Sequence, residues 1–226
     1  MPRPPRADVA GEIYHVLNRG NGRMTLFHKD ADYEAFERVL DEGLQKHPVN
    51  LIAYQWLPDH WHMVLSPQED GAMSKLMHWV TMTHTARHHA HYRSTGSGHL
   101  YQGRFKSFPI QSDEHFFVLC RYVERNAVAA GLVSAAEDWQ FGSLYNWCGG
   151  KCGIPLTRWP MARLPRWIAR VNQPLSDKEE KQLRLAIKRS QPFGSVNWVE
   201  STARKYNLES TLRMRGRPRK LPQAAN

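Results

Sequence analysis

Val49-Asn50-Leu51-Ile52-Ala53-Tyr54-Gln55-Trp56-Leu57-Pro58-Asp59-His60-Trp61-His62-Met63-Val64-Leu65 reads as a β-hairpin. Two runs of aliphatic and aromatic residues flank Pro58-Asp59. Proline pre-sets φ there and an aspartate side chain can bond its own backbone, so the dipeptide supplies turn chemistry between strands 49–57 and 60–65. Side chains alternate across a strand, which puts His60 and His62 on one face and turns Trp61 into the opposite layer.

Upstream of the hairpin, Ile13–Leu17 is rich in strand formers and is followed by the turn residues Asn18-Arg19-Gly20-Asn21-Gly22. Between Asp30 and Gln45, Tyr33, Phe36, Val39, Leu40 and Leu44 recur at helical spacing, with Asp30 or Asp32 as N-cap. Downstream, Ser74–Tyr92 reads as a helix, Gly103–Ile110 as a strand, and Asp113–Ala129 as a helix stopped by Gly131. Helices alternating with antiparallel strands predict an α+β fold, one sheet with its helices packed on one face. Residues 148–175 are rich in Gly, Pro, Trp and Arg without periodicity and read as a linker or wrapping segment. Two short helices follow, Asp177–Arg189 and Ser195–Tyr206, and with Pro192-Phe193-Gly194 between them they are read as a helix-turn-helix.

The chain has 226 residues, 41% of them hydrophobic, enough to bury a core. A net charge of +10 favours a polyanionic partner, nucleic acid before an anionic membrane. Residues 176–226 hold 12 Lys+Arg against 5 Asp+Glu, so most of that charge lies in a helical, basic C-terminal appendage. No run approaches transmembrane length and the start lacks an apolar signal stretch, so the expected location is the cytoplasm, associated with the nucleoid. Three cysteines, Cys120, Cys148 and Cys152, are too few for a disulfide framework and read as ordinary thiols.

Two imidazoles on one face of a strand can hold one metal ion. Spacing alone is weak: 12 histidines in 226 residues give about 0.6 such pairs by chance, and His89 and His91 form another. What strengthens His60 and His62 is the helix over 113–129, where Tyr122 and Asn126 lie four residues apart on one face. A tyrosine oxygen can attack a phosphodiester when a cation stabilises charge on the phosphate. His84, His88 and His91 form a second stripe at helical spacing but lack the glutamate of a His-Glu-x-x-His protease. Arg104 and Lys106 on a strand, and Arg121 and Arg125 beside the tyrosine, are placed to touch phosphates. The tail Arg215-Gly216-Arg217-Pro218-Arg219 resembles a minor-groove AT-hook. The residues leave open a non-catalytic DNA-binding regulator that works through the basic C-terminal region, and a histidine-rich zinc protein.

Leu57-Pro58-Asp59-His60-Trp61-His62-Met63 resembles the His-hydrophobic-His strand of HUH nucleases, and Arg121-Tyr122-Val123-Glu124-Arg125-Asn126-Ala127-Val128 resembles the nucleophile helix of the tyrosine transposases associated with repetitive extragenic palindromes. The likeness runs from about Ile13 to Trp147. It includes Tyr14-His15-Val16 with Arg19-Gly20-Asn21, Gly98-His99-Leu100 with Gly103-Arg104-Phe105-Lys106-Ser107, and Gly131-Leu132-Val133. The family's usual Asn-Pro-Val is here Asn126-Ala127-Val128, and the commonly aromatic start of the helix reads His115-Phe116-Phe117.

The resemblance implies a ferredoxin-like antiparallel sheet and a transposase domain over residues 1–147, ahead of the 148–175 segment and the 176–226 appendage. It implies Tyr122 as nucleophile, His60 and His62 as ligands of a divalent ion, Mg²⁺ or Mn²⁺, and Asn126 in the position of the third ligand. The implied substrate is a single-stranded DNA hairpin formed by palindromic extragenic repeats, held by Arg19, Arg104, Lys106, Arg121, Arg125, Arg213, Arg215, Arg217, Arg219 and Lys220. The acting species is a monomer or a homodimer.

Overall fold

The computed structural model describes residues 6–150 and 153–213. In chain order β1 (Ile13–Arg19), α1 (Asp30–Lys46), β2 (Val49–Leu57), β3 (His60–Pro67), α2 (Ala72–His91) and β4 (Lys106–Ile110) form a βαββαβ unit. After it come α3 (Glu114–Glu124), α4 (Asn126–Ala129), α5 (Ser143–Trp147), α6 (Trp167–Asn172), α7 (Asp177–Arg189) and α8 (Val196–Lys205). The sheet has the order β2-β3-β1-β4 and is antiparallel throughout. Leu57 pairs with His60 across Pro58-Asp59, the two-residue connection expected of the hairpin.

The α+β sheet is the one the sequence predicts, and α1 and α2 share one of its faces. Tyr14, Val16, Trp61, Met63 and Leu65 meet Phe36 and Leu40 of α1 and Leu76, Met77 and Val80 of α2 there. The other face is covered as well, a difference from the expected single helical layer. Ile13, Val64, Phe108 and Ile110 meet Phe116, Leu119 and Val123 of α3, Val171 of α6, and Leu183 and Ala186 of α7. The physical reason lies in β2, apolar at every position but Asn50 and Gln55, and in the consecutive Met63, Val64 and Leu65 of β3, which point apolar side chains to both faces and not only to one. Leaving either face in water would forfeit about 1.5–3 kcal/mol for each large apolar side chain.

Both edges of the sheet are closed by chain that follows β4. Along β2, the Trp56 amide donates to the Phe141 carbonyl and the Thr157 amide donates to Leu51. Along β4, the Phe193 amide donates to Pro109 and the Gln111 amide donates to Phe193. Residues 192–194 are therefore a rung beside β4 and not the tight turn of a helix-turn-helix. On either side of that rung, α7 packs with the α3 layer while Ala203 of α8 joins the α1/α2 layer, so the two helices embrace the sheet instead of each other. Covering an edge removes a template for intermolecular strand pairing.

The helix predicted over 113–129 is two segments. Arg125, at φ −87° and ψ −6°, separates α3 from α4. Among the described residues no helix is long and apolar enough to cross a membrane. Cys120 is buried and Cys148 exposed, both as free thiols; Cys152 lies outside the described residues, as does the arginine-rich stretch from 215 to 220.

Candidate active site

The β1–β3 pairing sets Arg19 opposite His60 and Leu17 opposite His62. Alternation along β3 turns both histidines toward the α3 face, while Trp61 is fully buried in the other layer against Phe36 and Tyr101. Each histidine is held through Nδ1. His60 Nδ1 bonds Asp59 Oδ1, and Asp59 also pairs with Arg19 Nε at 3.5 Å. His62 Nδ1 lies 2.8 Å from His15 Nε2. A carboxylate only accepts, so His60 donates from Nδ1 and, when neutral, keeps its lone pair on Nε2.

Burial favours the neutral form of both rings. It lowers the pKa of His60 against the opposing pull of Asp59, and it lowers that of His62 far below the ordinary value, helped by the neighbouring His15 and His60. His62 Nε2 is buried with no hydrogen-bond partner among the described residues.

Tyr122, on the last turns of α3, sets its ring edge-on to His62 with centroids 5.7 Å apart. His60 and His62 themselves are 5.1 Å apart. Burial raises the phenol's pKa, opposed by the Asn126 amide and by the charges of Arg184 and Arg19. The amide influences the phenol without a bond of full hydrogen-bond geometry, and Asn126 Nδ2 has no partner among the described residues.

His60, His62 and Tyr122 open into a cleft of about 650 Å³. Arg6, Arg19, Arg104, Lys106, Lys188 and Arg189 line the same cleft, which is suited to a phosphodiester backbone. Lys188 and Arg189 come from the end of α7, and Leu208 and Thr211 complete that wall. Arg189 is fixed there by donating to the carbonyls of Leu212 and Arg213.

The donor set fits a divalent ion. Two imidazoles offer Nε2 atoms, one of them a buried nitrogen with no partner among the described residues, and each has the bonded Nδ1 that metal-ligating histidines commonly show. Asn126 is beside the phenol but does not line the cleft. A separate group of ligand atoms, Asp113, Glu114 and His115, gathers at the start of α3. There Asp113 caps the helix through the His115 amide and binds the His115 ring.

Of the basic residues singled out from the sequence, Arg19, Arg104 and Lys106 face the cleft. Arg121 turns elsewhere: its guanidinium donates to the carbonyls of Arg170, Gln173 and Pro174 and pairs with Glu179 at 3.7 Å. Arg125 has a buried Nε and lies outside the cleft lining, and Arg213 is exposed. Sequence reasoning missed His15 and Asp59, which orient the two histidines, and the α7 wall. It also missed Glu124, a fully buried carboxylate accepting from Ser143 Oγ (3.1 Å), Arg163 Nη1 (3.4 Å) and Trp167 Nε1 (2.7 Å). A polar residue at 15, on the same strand face as Leu17, was the available signal, legible once β1 is paired with β3.

The fold is similar to that of the REP-associated tyrosine transposase bound to a REP hairpin, at 18% identity and a TM-score of 0.54, over 71% of this chain and 96% of that one. A transposase candidate from Deinococcus radiodurans R1 shares 15% identity over 55% of this chain and 97% of its own, at a TM-score of 0.40. No protein of curated function matches significantly. A family model described as "Transposase IS200 like" matches residues 8–126, more than half of the chain and the whole stretch from β1 through the paired histidines to Tyr122 and Asn126, so the protein belongs to the IS200-like transposase family.

Proposed function

We propose that this transposase is a metal-dependent single-stranded DNA endonuclease that cleaves and rejoins DNA at hairpin-forming palindromic repeats through a 5′-phosphotyrosine. The observation that carries the reading is the convergence of Tyr122 with His60 and His62 in one basic cleft, all from a single chain. His60 and His62 would hold the divalent ion through Nε2, with Asn126 as the proposed third ligand. When bound, Mg²⁺ or Mn²⁺ supplies charge stabilisation at the scissile phosphate.

The Tyr122 oxygen attacks phosphorus, a bond from that oxygen forms, and the bond to the 3′ oxygen breaks; the phenolic proton ends on the released 3′-hydroxyl. Attack by another 3′-hydroxyl reverses the step. Arg19, Arg104 and Lys106 hold the strand by its phosphates, joined by Lys188 and Arg189 from α7. The similar REP-associated transposase is bound to a REP hairpin, which supports a hairpin as the substrate here; action at the nucleoid is proposed as the consequence of a DNA substrate.

The test is incubation with end-labelled hairpin oligonucleotides and Mn²⁺ or Mg²⁺, followed by a denaturing gel. A protein-linked fragment that needs both the metal and Tyr122, and is lost in Tyr122→Phe, is the expected result. Tight hairpin binding with no covalent adduct across several hairpins would overturn the reading in favour of a regulator.

A further inference from the structure

His15 and His62 are buried and joined by one 2.8 Å contact between ring nitrogens. A neutral imidazole carries one N–H and one lone pair, so a single proton lies between the rings and two arrangements exist. In one, His62 donates from Nδ1 to His15 Nε2, and the lone pair on His62 Nε2 is open to a ligand. In the other, His15 donates to His62 Nδ1, and His62 Nε2 carries a hydrogen that forbids ligation. Each leaves one buried donor and one buried acceptor unsatisfied, at His15 Nδ1 and His62 Nε2. The bonding within the pair therefore does not choose between them.

His60 differs, because Asp59 can only accept and presets its tautomer. His15 is also confined, with its ring against Phe108 at 4.9 Å, so packing helps to hold its contact with His62.

We propose that His15 is a positioning residue that holds His62 as an Nε2 ligand, and that the divalent ion selects the tautomer in which His62 donates to His15. The proposal rests on the metal reading of the site. One ligand is thus prepared before the ion arrives and the other is set by its arrival.

The experiment compares wild type, His15→Leu, His15→Gln and His62→Ala, all checked for folding by thermal melt. Mn²⁺ binding is read by calorimetry, and the His62 ring tautomer by ¹⁵N resonances with and without Mg²⁺. His15→Leu removes the acceptor and should weaken Mn²⁺ binding by about 10–100-fold, the range for outer-shell partners. His15→Gln restores a carbonyl acceptor and should stay within a few-fold of wild type. In wild type the His62 spectrum should move to the single Nδ1–H form when Mg²⁺ is added.

A folded His15→Leu that binds Mn²⁺ like wild type, while His62→Ala does not, would overturn the role of His15 and leave the metal reading standing. Unchanged binding in His62→Ala would overturn the metal reading itself. Should His15→Leu fail to fold, the other readouts decide: a His62 ring in the Nε2–H form both with and without Mg²⁺, or a His15→Gln that loses binding as fully as His62→Ala, sinks the proposal.

Discussion

Two groups of histidines lie on opposite faces of the same sheet, and their surroundings differ in kind. On the α3 face, His60 and His62 each have Nδ1 occupied by a partner and share a basic cleft with Tyr122. On the α2 face, His84 bonds the Tyr101 hydroxyl at 2.7 Å, and that hydroxyl also accepts from Trp61 Nε1. Its ring is stacked on Phe27. His88 is buried with both ring nitrogens unpartnered among the described residues, His89 bonds Ser94, and His91 meets Lys29. Both groups set histidines on one face of a secondary-structure element, two apart on β3 and at helical spacing on α2. What sets the proposed ligand pair apart is that one nitrogen of each ring is pinned while both rings line a common cleft.

The largest effect that could break this contrast is in metal binding. His62→Ala should reduce Mn²⁺ affinity by more than about 100-fold, since even outer-shell losses reach that size, whereas His88→Ala should leave it unchanged in the same calorimetric titration. The opposite pattern would make the α2 stripe the metal centre.

A smaller effect sharpens the account of His84. Burial pushes its pKa down to about 3 from an ordinary 6.5, so the unfolded chain binds a proton that the folded chain refuses between those values. Stability contributed by the neutral ring is therefore full above about pH 6.5 and is lost as the pH falls toward 3. The slope from this residue reaches about 1.4 kcal/mol per pH unit at most. His84→Leu should flatten the acid limb by that one-proton slope in urea unfolding between pH 4 and 7; an unaltered limb would show that the ring is not held neutral.

The smallest effect concerns His88. Replacing a ring whose two buried nitrogens lack partners by an apolar side chain removes a desolvation cost, so His88→Leu should be neutral or stabilising by up to about 1 kcal/mol. A loss of several kcal/mol in the same unfolding measurement would reveal a partner for His88.

Local periodicity made the hairpin, the helices of the βαββαβ unit and the pair α7 and α8 legible in the sequence, because each depends on neighbours a few residues apart. Tyr122, His60 and His62 were legible as a set only through the family resemblance; spacing alone offered His89 and His91 equally. What stayed hidden was long-range. His15 meets His62 across 47 positions through strand register, and Glu124 gathers partners 19 to 43 residues away. Arg121 looked like a phosphate contact until the chain from 170 to 174 returned to claim it. Charge and residue type give a side chain's capacity, and the tertiary path decides how it is used.

The anchorage of α3 has a mechanical consequence. If a DNA strand is joined to Tyr122 as proposed, any pull on that strand becomes a load on the helix. Two residues beyond the tyrosine, Glu124 ties the helix to Ser143 of α5, to Arg163 and to Trp167 of α6, and one residue before it Arg121 clasps the backbone at 170–174. These moorings bracket the point of attachment, so tension would spread into the body of the protein before it could tilt the tyrosine away from the histidines, keeping the severed ends in register for resealing.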